Sequence, residues 1–123
     1  MSTLLFVYGT LKRGGCNHHH LAGQTFIGQA RTRPGFTLYD LGGYPGIVAD
    51  SADTHGVIGE VWSVVPAALA ALDVFEGVHE GLYRREPLPL LPPFAERRID
   101  AYVAALPVAG RPVVGAEWRE PRA

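Results

Sequence analysis

Residues 4–15 read Leu-Leu-Phe-Val-Tyr-Gly-Thr-Leu-Lys-Arg-Gly-Gly, and the rest of the chain can be organised around this stretch. Residues 4–8 form a continuous apolar and aromatic run that is too short for a helix and predicts a buried β-strand. Gly9 ends that strand and lets a ligand approach the backbone. Backbone N–H groups beyond a strand end lack a ladder partner, and a ligand oxygen can accept their hydrogen bonds. An ordinary turn explains the same residues, so this stretch alone assigns no site.

The glycine-rich end of the stretch is not a phosphate-binding P-loop. Such a loop requires Lys followed by Ser or Thr straight after its second glycine. Here Gly14 is followed by Gly15 and Cys16. We therefore expect Lys12 and Arg13 to be solvated.

The composition is that of one folded domain, which we predict to span residues 1–123. A hydrophobic content of 47% supports a core, and a net charge of -1 argues against nucleic-acid or anionic-membrane partners. Cys16 is the only cysteine, which excludes an internal disulfide and is consistent with a reducing, cytoplasmic location. The first apolar run is too short for a signal peptide, and no stretch is long enough to span a bilayer.

Short strands dominate the predicted secondary structure, since 15 glycines and 10 prolines imply many turns. After the first strand, Pro- and Gly-bounded apolar runs predict strands over 24–33, 36–41, 47–49, 56–65, 82–86 and 98–106. Residues 107–123 have a weak pattern and are expected to form a tail.

The only predicted helix begins at Pro66, a residue favoured in the first helical turn, and continues to residue 75. Gly77 ends it. At about 100° per residue, Glu76 falls in the same sector as Leu69 and Leu72, which should face the core. A carboxylate there is desolvated and lies at the negative end of the helix dipole, and both effects raise its pKa. The alternative is that the helix frays and Glu76 turns to solvent or pairs with an arginine, Arg84 or Arg85.

A second acidic residue lies within the strongest strand after the first. Glu60 shares one face of that strand with Ile58 and Trp62. It lies either at the mouth of a cavity or on a solvated face, and we expect the solvated face.

Three adjacent histidines, His18, His19 and His20, invite interpretation as a metal site. Consecutive residues do not share one face of a helix or strand, and no ligand-rich partner segment is obvious. A solvated loop is therefore favoured, and a metal titration tests the alternative. A Cys16–His18 nucleophile pair is also disfavoured, because a lone cysteine in such a loop is usually only a small residue.

Taken together, several motifs resemble those of the γ-glutamylcyclotransferase-like proteins, in particular the γ-glutamylamine cyclotransferase and AIG2-like branch. They occur in family order over nearly the whole chain, as Val-Tyr-Gly-Thr-Leu-Lys-Arg-Gly at 7–14, Asn-His at 17–18, Tyr-Pro-Gly at 44–46, Gly-Glu-Val-Trp at 59–62, Leu-Asp-Val-Phe-Glu-Gly at 72–77, then Tyr83, Arg85, Tyr-Val at 102–103 and Gly-Ala-Glu-Trp at 115–118.

The resemblance implies a fold, an activity and a set of site residues. The fold is α+β, a small mixed β-barrel flanked by a few short helices. The activity is cyclisation of a γ-glutamyl group to 5-oxoproline with release of an amine, on a small-molecule substrate and without a metal or cofactor. Glu76 is implied as the acid/base. The substrate-binding residues implied are Tyr8, Gly9, Thr10, Leu11 and Tyr83.

Two further functions are compatible with the same residues. One is removal of a γ-glutamyl protecting group from a biosynthetic intermediate or carrier, in which only the leaving amine differs. The other is a small-molecule binding module without turnover. Retention of a desolvated Glu76 argues against the latter, because a mere binder need not bear that desolvation cost.

Overall fold

The computed structural model describes residues 1–119. They form eight strands and one α-helix: β1 Thr3–Val7, β2 Thr25–Arg31, β3 Phe36–Asp40, β4 Pro45–Ala49, β5 Ile58–Val64, α1 Pro66–Phe75, β6 Tyr83–Pro87, β7 Asp100–Ala104 and β8 Val113–Gly115. Two short 3-10 helices occupy His18–Leu21 and Val78–Glu80. The fold class is therefore α+β, as predicted. Within residues 1–119, no helix combines the length and the apolar character needed to cross a bilayer.

All eight strands belong to one mixed sheet with the order β2-β5-β1-β7-β4-β3-β8, and β6 pairs with β7 outside that path. Its ends, β2 and β8, are not neighbours in this order, so the sheet is not closed and the predicted barrel is only a loose description. Strand β7 is central, because β6 covers one of its edges and β1 and β4 share the other. Every residue of β7 is buried.

The sheet separates two apolar clusters. One contains Phe6, Leu38, Ile47, Val61 and Trp118, among others. The second includes Leu5, Trp62, Leu69, Leu72 and Tyr102, and it packs helix α1 onto the sheet. Leu69 and Leu72 thus face the core, as predicted.

Helix α1 has the predicted bounds because its sequence supplies both end signals. Pro66 occupies the first turn, where its missing N–H has no intrahelical partner to lose. Gly77 has φ 68°, a left-handed conformation that stops the helix. A Cβ at Gly77 would also lie 2.6 Å from Leu82 Cδ1, so the Leu82 side chain would have to move to admit a larger residue.

The prediction of a weakly patterned tail over 107–123 is wrong for its described part. Strand β8 pairs with β3, and Trp118 is buried in the first core cluster. A three-residue edge strand has too little periodicity to be recognised from sequence. Residues 120–123 of the predicted tail lie outside the described residues.

Candidate active site

The site is built where β7 changes partners along one edge. Strand β1 pairs with β7 in parallel at Leu5 and Phe6, and two residues further along β7 the partner is Ile47 of β4. The chain after β1 therefore leaves the sheet at residue 8. Tyr8 fills the junction, since its hydroxyl donates to the Tyr102 carbonyl and accepts from the Ile47 N–H at 3.1 Å.

A cavity of about 270 Å³ opens at this junction. Its wall combines the loop after β1, the start of β4, the end of α1 and the region around β6 and β7. The lining residues are Phe6, Val7, Tyr8, Gly9, Thr10, Leu11, Asn17, Leu41, Tyr44, Pro45, Phe75, Glu76, Leu82, Tyr83, Tyr102 and Leu106. All six predicted site residues, at 8–11, 76 and 83, line this one cavity.

Gly9 is required by the packing of the protein itself. A Cβ at this position would lie 2.3 Å from Cγ of Pro45, far inside contact distance. The backbone of the loop and the Pro45 ring can therefore form adjacent parts of the cavity wall only because position 9 has no side chain. The sequence-based argument explained Gly9 by the approach of a ligand, whereas here the space beside it holds Pro45.

The loop after Gly9 keeps backbone donors available. The N–H groups of Gly9, Thr10 and Leu11 donate no hydrogen bond to any acceptor within residues 1–119. The loop is nevertheless held in place, because Asn17 donates its backbone N–H to the Thr10 carbonyl at 2.9 Å and its Nδ2 to Thr10 Oγ1 at 3.0 Å. His18 Nδ1 lies 2.9 Å from the Leu11 carbonyl. Because these three residues line the cavity, their unpaired N–H groups are available to an oxygen atom of a ligand.

Glu60 anchors the same loop, and the expectation that it lies on a solvated face is wrong. Its residue surface is 7% exposed. Oε1 accepts from the backbone N–H of Arg13 and from Trp62 Nε1, both at 3.1 Å, and Oε2 pairs with Arg13 Nε at 3.1 Å. Strand alternation shows which residues share a face, but not that a loop folds over that face.

The expectation that Lys12 and Arg13 are simply solvated also needs correction. Arg13 remains half exposed but stacks on Phe26, with 3.8 Å from its guanidinium carbon to the ring centroid. Lys12 Nζ donates to the Trp118 carbonyl at 2.8 Å. Both side chains therefore tie the loop to the folded domain.

Glu76 caps the C-terminal end of α1 and its side chain lines the cavity. Its carboxyl group forms no hydrogen bond or ion pair with any residue from 1 to 119. Arg84 pairs with Glu86, and Arg85 with Asp73 and Asp100, so neither arginine neutralises Glu76. Burial raises the pKa of Glu76 to about 7, because the charged form loses hydration without gaining a partner.

Two tyrosine hydroxyls in the cavity wall are committed to the backbone. Tyr83 donates to the Pro45 carbonyl, and Tyr8 makes the two bonds described above. Burial raises the pKa of both hydroxyls above the usual value of tyrosine. Both residues therefore shape the cavity as neutral groups.

An ion-pair network attaches α1 to β6 and β7 next to the cavity. Arg85 binds both oxygens of Asp73, at 2.9 and 3.2 Å, and contacts Asp100 at 2.7 Å. Tyr102 donates its hydroxyl to Asp73 Oδ1 at 2.7 Å. Asp73 lies about one helical turn before Glu76. The network therefore fixes the end of α1 that carries the Glu76 carboxyl group.

Sequence reasoning did not select Asn17, Tyr44, Phe75 or Tyr102 as site residues, although they line the cavity. All four fall within motifs quoted above, at 17–18, 44–46, 72–77 and 102–103, and Tyr102 also lies in the buried strand β7. Nothing in local periodicity distinguishes these positions from core or loop residues. Their proximity to the site depends on how β4 and β7 pair.

Two of the three consecutive histidines, His19 and His20, stack with Phe75 at the helix end. The rings of His19 and His20 are 4.3 Å apart, and His20 lies 4.1 Å from Phe75. His18 instead packs edge-on against Trp62. Over residues 1–119, no group of three or more His, Cys, Asp or Glu side chains is arranged to hold a metal ion.

Comparison with known proteins identifies the family. The family model described as gamma-glutamyl cyclotransferase, AIG2-like, matches residues 5–120. A Vibrio cholerae protein, named provisionally as a gamma-glutamylcyclotransferase, is 45% identical over 86 residues, which is 70% of this chain and 71% of that protein.

Solved structures share the same fold. The mouse AIG2-like protein superimposes with a TM-score of 0.78 at 26% identity, covering 98% of this chain and 97% of its own. YkqA of Bacillus subtilis gives a TM-score of 0.77 at 28% identity over 96% of this chain, which corresponds to only 40% of that longer protein. On the family match and the fold together, the chain belongs to the gamma-glutamyl cyclotransferase, AIG2-like family.

Proposed function

We propose that the protein cyclises a γ-glutamyl group to 5-oxoproline and releases the attached amine. Membership of the family supports a gamma-glutamylcyclotransferase-like function in general. The observation that carries the specific proposal is the pairing, in one cavity, of a desolvated Glu76 with unpaired backbone N–H groups.

The reaction needs few groups because both reactants belong to one molecule. The α-amino nitrogen of the γ-glutamyl group attacks its own γ-carbonyl carbon. A new C–N bond closes the five-membered ring, and the original amide C–N bond breaks. The cavity has to hold the substrate in a folded, reactive conformation. The main cost of doing so is the conformational entropy that the substrate loses on binding.

Glu76 is the proposed proton carrier. It takes a proton from the α-ammonium group and returns one to the nitrogen of the leaving amine. A carboxyl group does this best when its pKa lies near the working pH. The pKa of about 7 that burial confers on Glu76 meets this condition.

The N–H groups of Gly9, Thr10 and Leu11 are the proposed oxyanion donors. Negative charge grows on the γ-carbonyl oxygen during the attack, and fixed donors in a desolvated cavity stabilise it. Asn17 and Glu60 hold this loop through the contacts described above. The loop that carries the donors is therefore held in place before substrate binds.

The direct test is the substitution Glu76→Gln, which keeps the side-chain shape but cannot carry the proton. We expect 5-oxoproline release from γ-glutamyl amides to fall about 100-fold or more. Glu80→Gln is the matched control, since Glu80 is exposed and does not line the cavity. Near-normal turnover by Glu76→Gln would remove Glu76 from the proposed role.

A further inference from the structure

Three buried tyrosines line the cavity together with Glu76, and each donates its hydroxyl hydrogen to another group. Tyr8 and Tyr83 donate to backbone carbonyls. Tyr102 differs, because its acceptor is a side-chain atom, Asp73 Oδ1, at 2.7 Å. The hydroxyl of Tyr102 is therefore held by a single replaceable side chain.

All three hydroxyls lie close to the Glu76 carboxyl group. Burial is the main cause that raises the pKa of each hydroxyl, and the charge of Glu76 raises all three further. That influence requires proximity, since the interaction of two charges falls with distance. A hydroxyl that turned toward Glu76 would donate to its carboxylate, stabilise the charged form and lower the pKa of the carboxyl group. The direction of these O–H bonds thus decides whether Glu76 stays without a partner.

Asp73 is held firmly in position as the acceptor of the Tyr102 hydroxyl. Its Oδ1 also accepts from Arg85 Nε at 2.9 Å, and its Oδ2 accepts from Arg85 Nη2 at 3.2 Å. Tyr102 is only 4% exposed, so without Asp73 its hydroxyl would need another acceptor inside the protein. Among the described residues that line the cavity, Glu76 carries the only carboxylate.

The charged groups that strands β6 and β7 bring to this helix end do not engage Glu76. They are Arg84, Arg85 and Asp100, and each forms an ion pair with a residue other than Glu76. No charged partner therefore competes with a tyrosine hydroxyl for the Glu76 carboxylate.

The remaining ionisable groups near the cavity come from loops. His19 and His20 are exposed and stack with Phe75. Tyr44 lines the cavity, is 46% exposed and donates its hydroxyl to no residue from 1 to 119. Tyr102 is thus the buried hydroxyl whose direction depends on one side chain.

We propose that Asp73 and Tyr102 are positioning residues for Glu76: Asp73 binds the hydroxyl hydrogen of Tyr102 and so prevents that hydroxyl from donating to the Glu76 carboxyl group. The carboxyl group is then left for the α-ammonium group of the substrate. This purpose rests on the proposed function, whereas the arrangement itself can be measured without turnover. The role is additional to the attachment of α1, and it acts on the proton affinity of Glu76.

Asp73→Ala removes the acceptor and tests the proposal through the pKa of Glu76. Carbon-13 NMR titration of the Glu76 side-chain carboxyl carbon measures this pKa, which is about 7 in the unchanged protein. In Asp73→Ala it should fall by about one to two pH units, the equivalent of one hydrogen bond to a charged group. No fall overturns the proposal, and so does a Glu76 that already titrates near 4.5 in the unchanged protein.

Two further variants separate the hydroxyl from other effects of Asp73→Ala, which also removes a charge and releases Arg85. Asp73→Asn removes the charge but keeps an oxygen for Tyr102, so the pKa of Glu76 should stay near 7. Asp73→Ala combined with Tyr102→Phe still releases Arg85 but has no hydroxyl to redirect, so the pKa should return to near 7. A pKa that stays low in the double variant, or falls equally in Asp73→Asn, overturns the proposal. A purely structural role of Asp73 would not be rescued by removing a second group.

Tyr102→Phe alone gives a test that does not depend on the folding of Asp73→Ala, because it keeps the pair of Asp73 and Arg85. If the hydroxyl does not donate to Glu76 in the unchanged protein, its removal should change the pKa of Glu76 by less than about half a pH unit. A rise of about one unit or more would mean that the hydroxyl already donates to Glu76, which overturns the proposal.

Turnover reports on the proposed function separately. If the unchanged protein releases no 5-oxoproline from γ-glutamyl amides, cyclisation fails, and the titrations still decide the role of Asp73. If 5-oxoproline forms but the pKa of Glu76 in Asp73→Ala equals that in the unchanged protein, cyclisation stands and the positioning role is overturned. Where both hold, the acid limb of the pH profile of kcat/KM should move in Asp73→Ala by the same amount as the pKa of Glu76.

Discussion

Glu76 holds its carboxyl group in two unfavourable surroundings at once. Burial raises its pKa to about 7, and it stands at the C-terminal end of a helix, where the dipole also disfavours a negative charge. No compensating cation is present among residues 1–119, since Arg84 and Arg85 pair with other carboxylates. Such an uncompensated group is expected where a function requires it.

Gly9 is the second residue on which the site depends. Gly9→Ala places a Cβ 2.3 Å from Pro45 Cγ, so the loop or the Pro45 ring must move. We expect a loss of about 1–3 kcal/mol in the free energy of unfolding, the usual cost of overpacking, together with reduced turnover. Urea unfolding and 5-oxoproline release measure the two effects.

Gly28→Ala is the control for Gly9→Ala. A Cβ at Gly28 would meet Phe94 Cζ at 3.5 Å, an ordinary contact, and Gly28 has no positive φ. This variant should retain nearly full stability and turnover. If Gly9→Ala behaves like Gly28→Ala, the close packing of loop and Pro45 is not a constraint on the site.

At the scale of elements, the position of α1 on the sheet decides where Glu76 points. The helix is attached by its apolar face and by Asp73, which binds Arg85 of β6 and Tyr102 of β7. Arg85 also neutralises Asp100, whose side chain is 4% exposed. The contacts of one arginine thus join a helix and two strands at the cavity wall.

Arg85→Met should destabilise the protein and displace the helix end. Among residues 1–119, it leaves the buried Asp100 with one ion pair, the longer contact to the exposed Arg98 at 3.3 Å. We expect a loss of about 2–4 kcal/mol, since removing one member of a buried ion pair is costly. Urea unfolding measures this loss, and 5-oxoproline release should fall with it.

Arg84→Met provides the comparison for the neighbouring position. Arg84 and Glu86 form an exposed pair, with side chains 57% and 44% exposed, and such pairs contribute little. This variant should lose less than about 1 kcal/mol. Similar losses for both variants would mean that the Arg85 network does not hold the helix.

At the scale of the whole molecule, stability should depend on pH through Glu76. The pKa of Glu76 is about 7 in the folded chain, against 4.5 for an unperturbed glutamate. Between these values the folded chain holds a proton that the unfolded chain has lost, so stability falls as pH rises. From about one pH unit above this pKa the penalty is complete, at about 3 kcal/mol.

Glu76→Gln should therefore be more stable than the unchanged protein at neutral to alkaline pH. The gain in the free energy of unfolding should be larger at pH 8 than at pH 5, by about 2 kcal/mol. Urea unfolding at both pH values measures it, with Glu80→Gln as the matched control at an exposed position outside the cavity. A gain that does not grow with pH would contradict the desolvation of Glu76.

Much of this molecule could be predicted from sequence, and the exceptions have physical reasons. Helix α1 was predicted with its bounds because Pro66 and Gly77 signal its ends locally. The helical repeat placed Glu76 in the same sector as Leu69 and Leu72, but it left open a frayed helix end with Glu76 in solvent or paired with an arginine. Strand β8 and the burial of Trp118 were missed, since they depend on pairing with the distant strand β3.

The environment of charged residues was harder to predict than secondary structure. Glu60 was expected in solvent because an alternating strand does not reveal which elements cover each face. Arg85 was considered as a partner of Glu76, yet it binds Asp73 and Asp100, which only the packing of α1 on β6 and β7 decides. The sheet order likewise shows an open sheet where a barrel was expected.

The central claim is that Glu76 is desolvated enough to exchange a proton near neutral pH. The most direct measurement is a carbon-13 NMR titration of its side-chain carboxyl carbon, assigned by comparison with Glu76→Gln. The account predicts that the pKa of Glu76 obtained from this titration is about 7. A midpoint near the 4.5 of an unperturbed glutamate would contradict it.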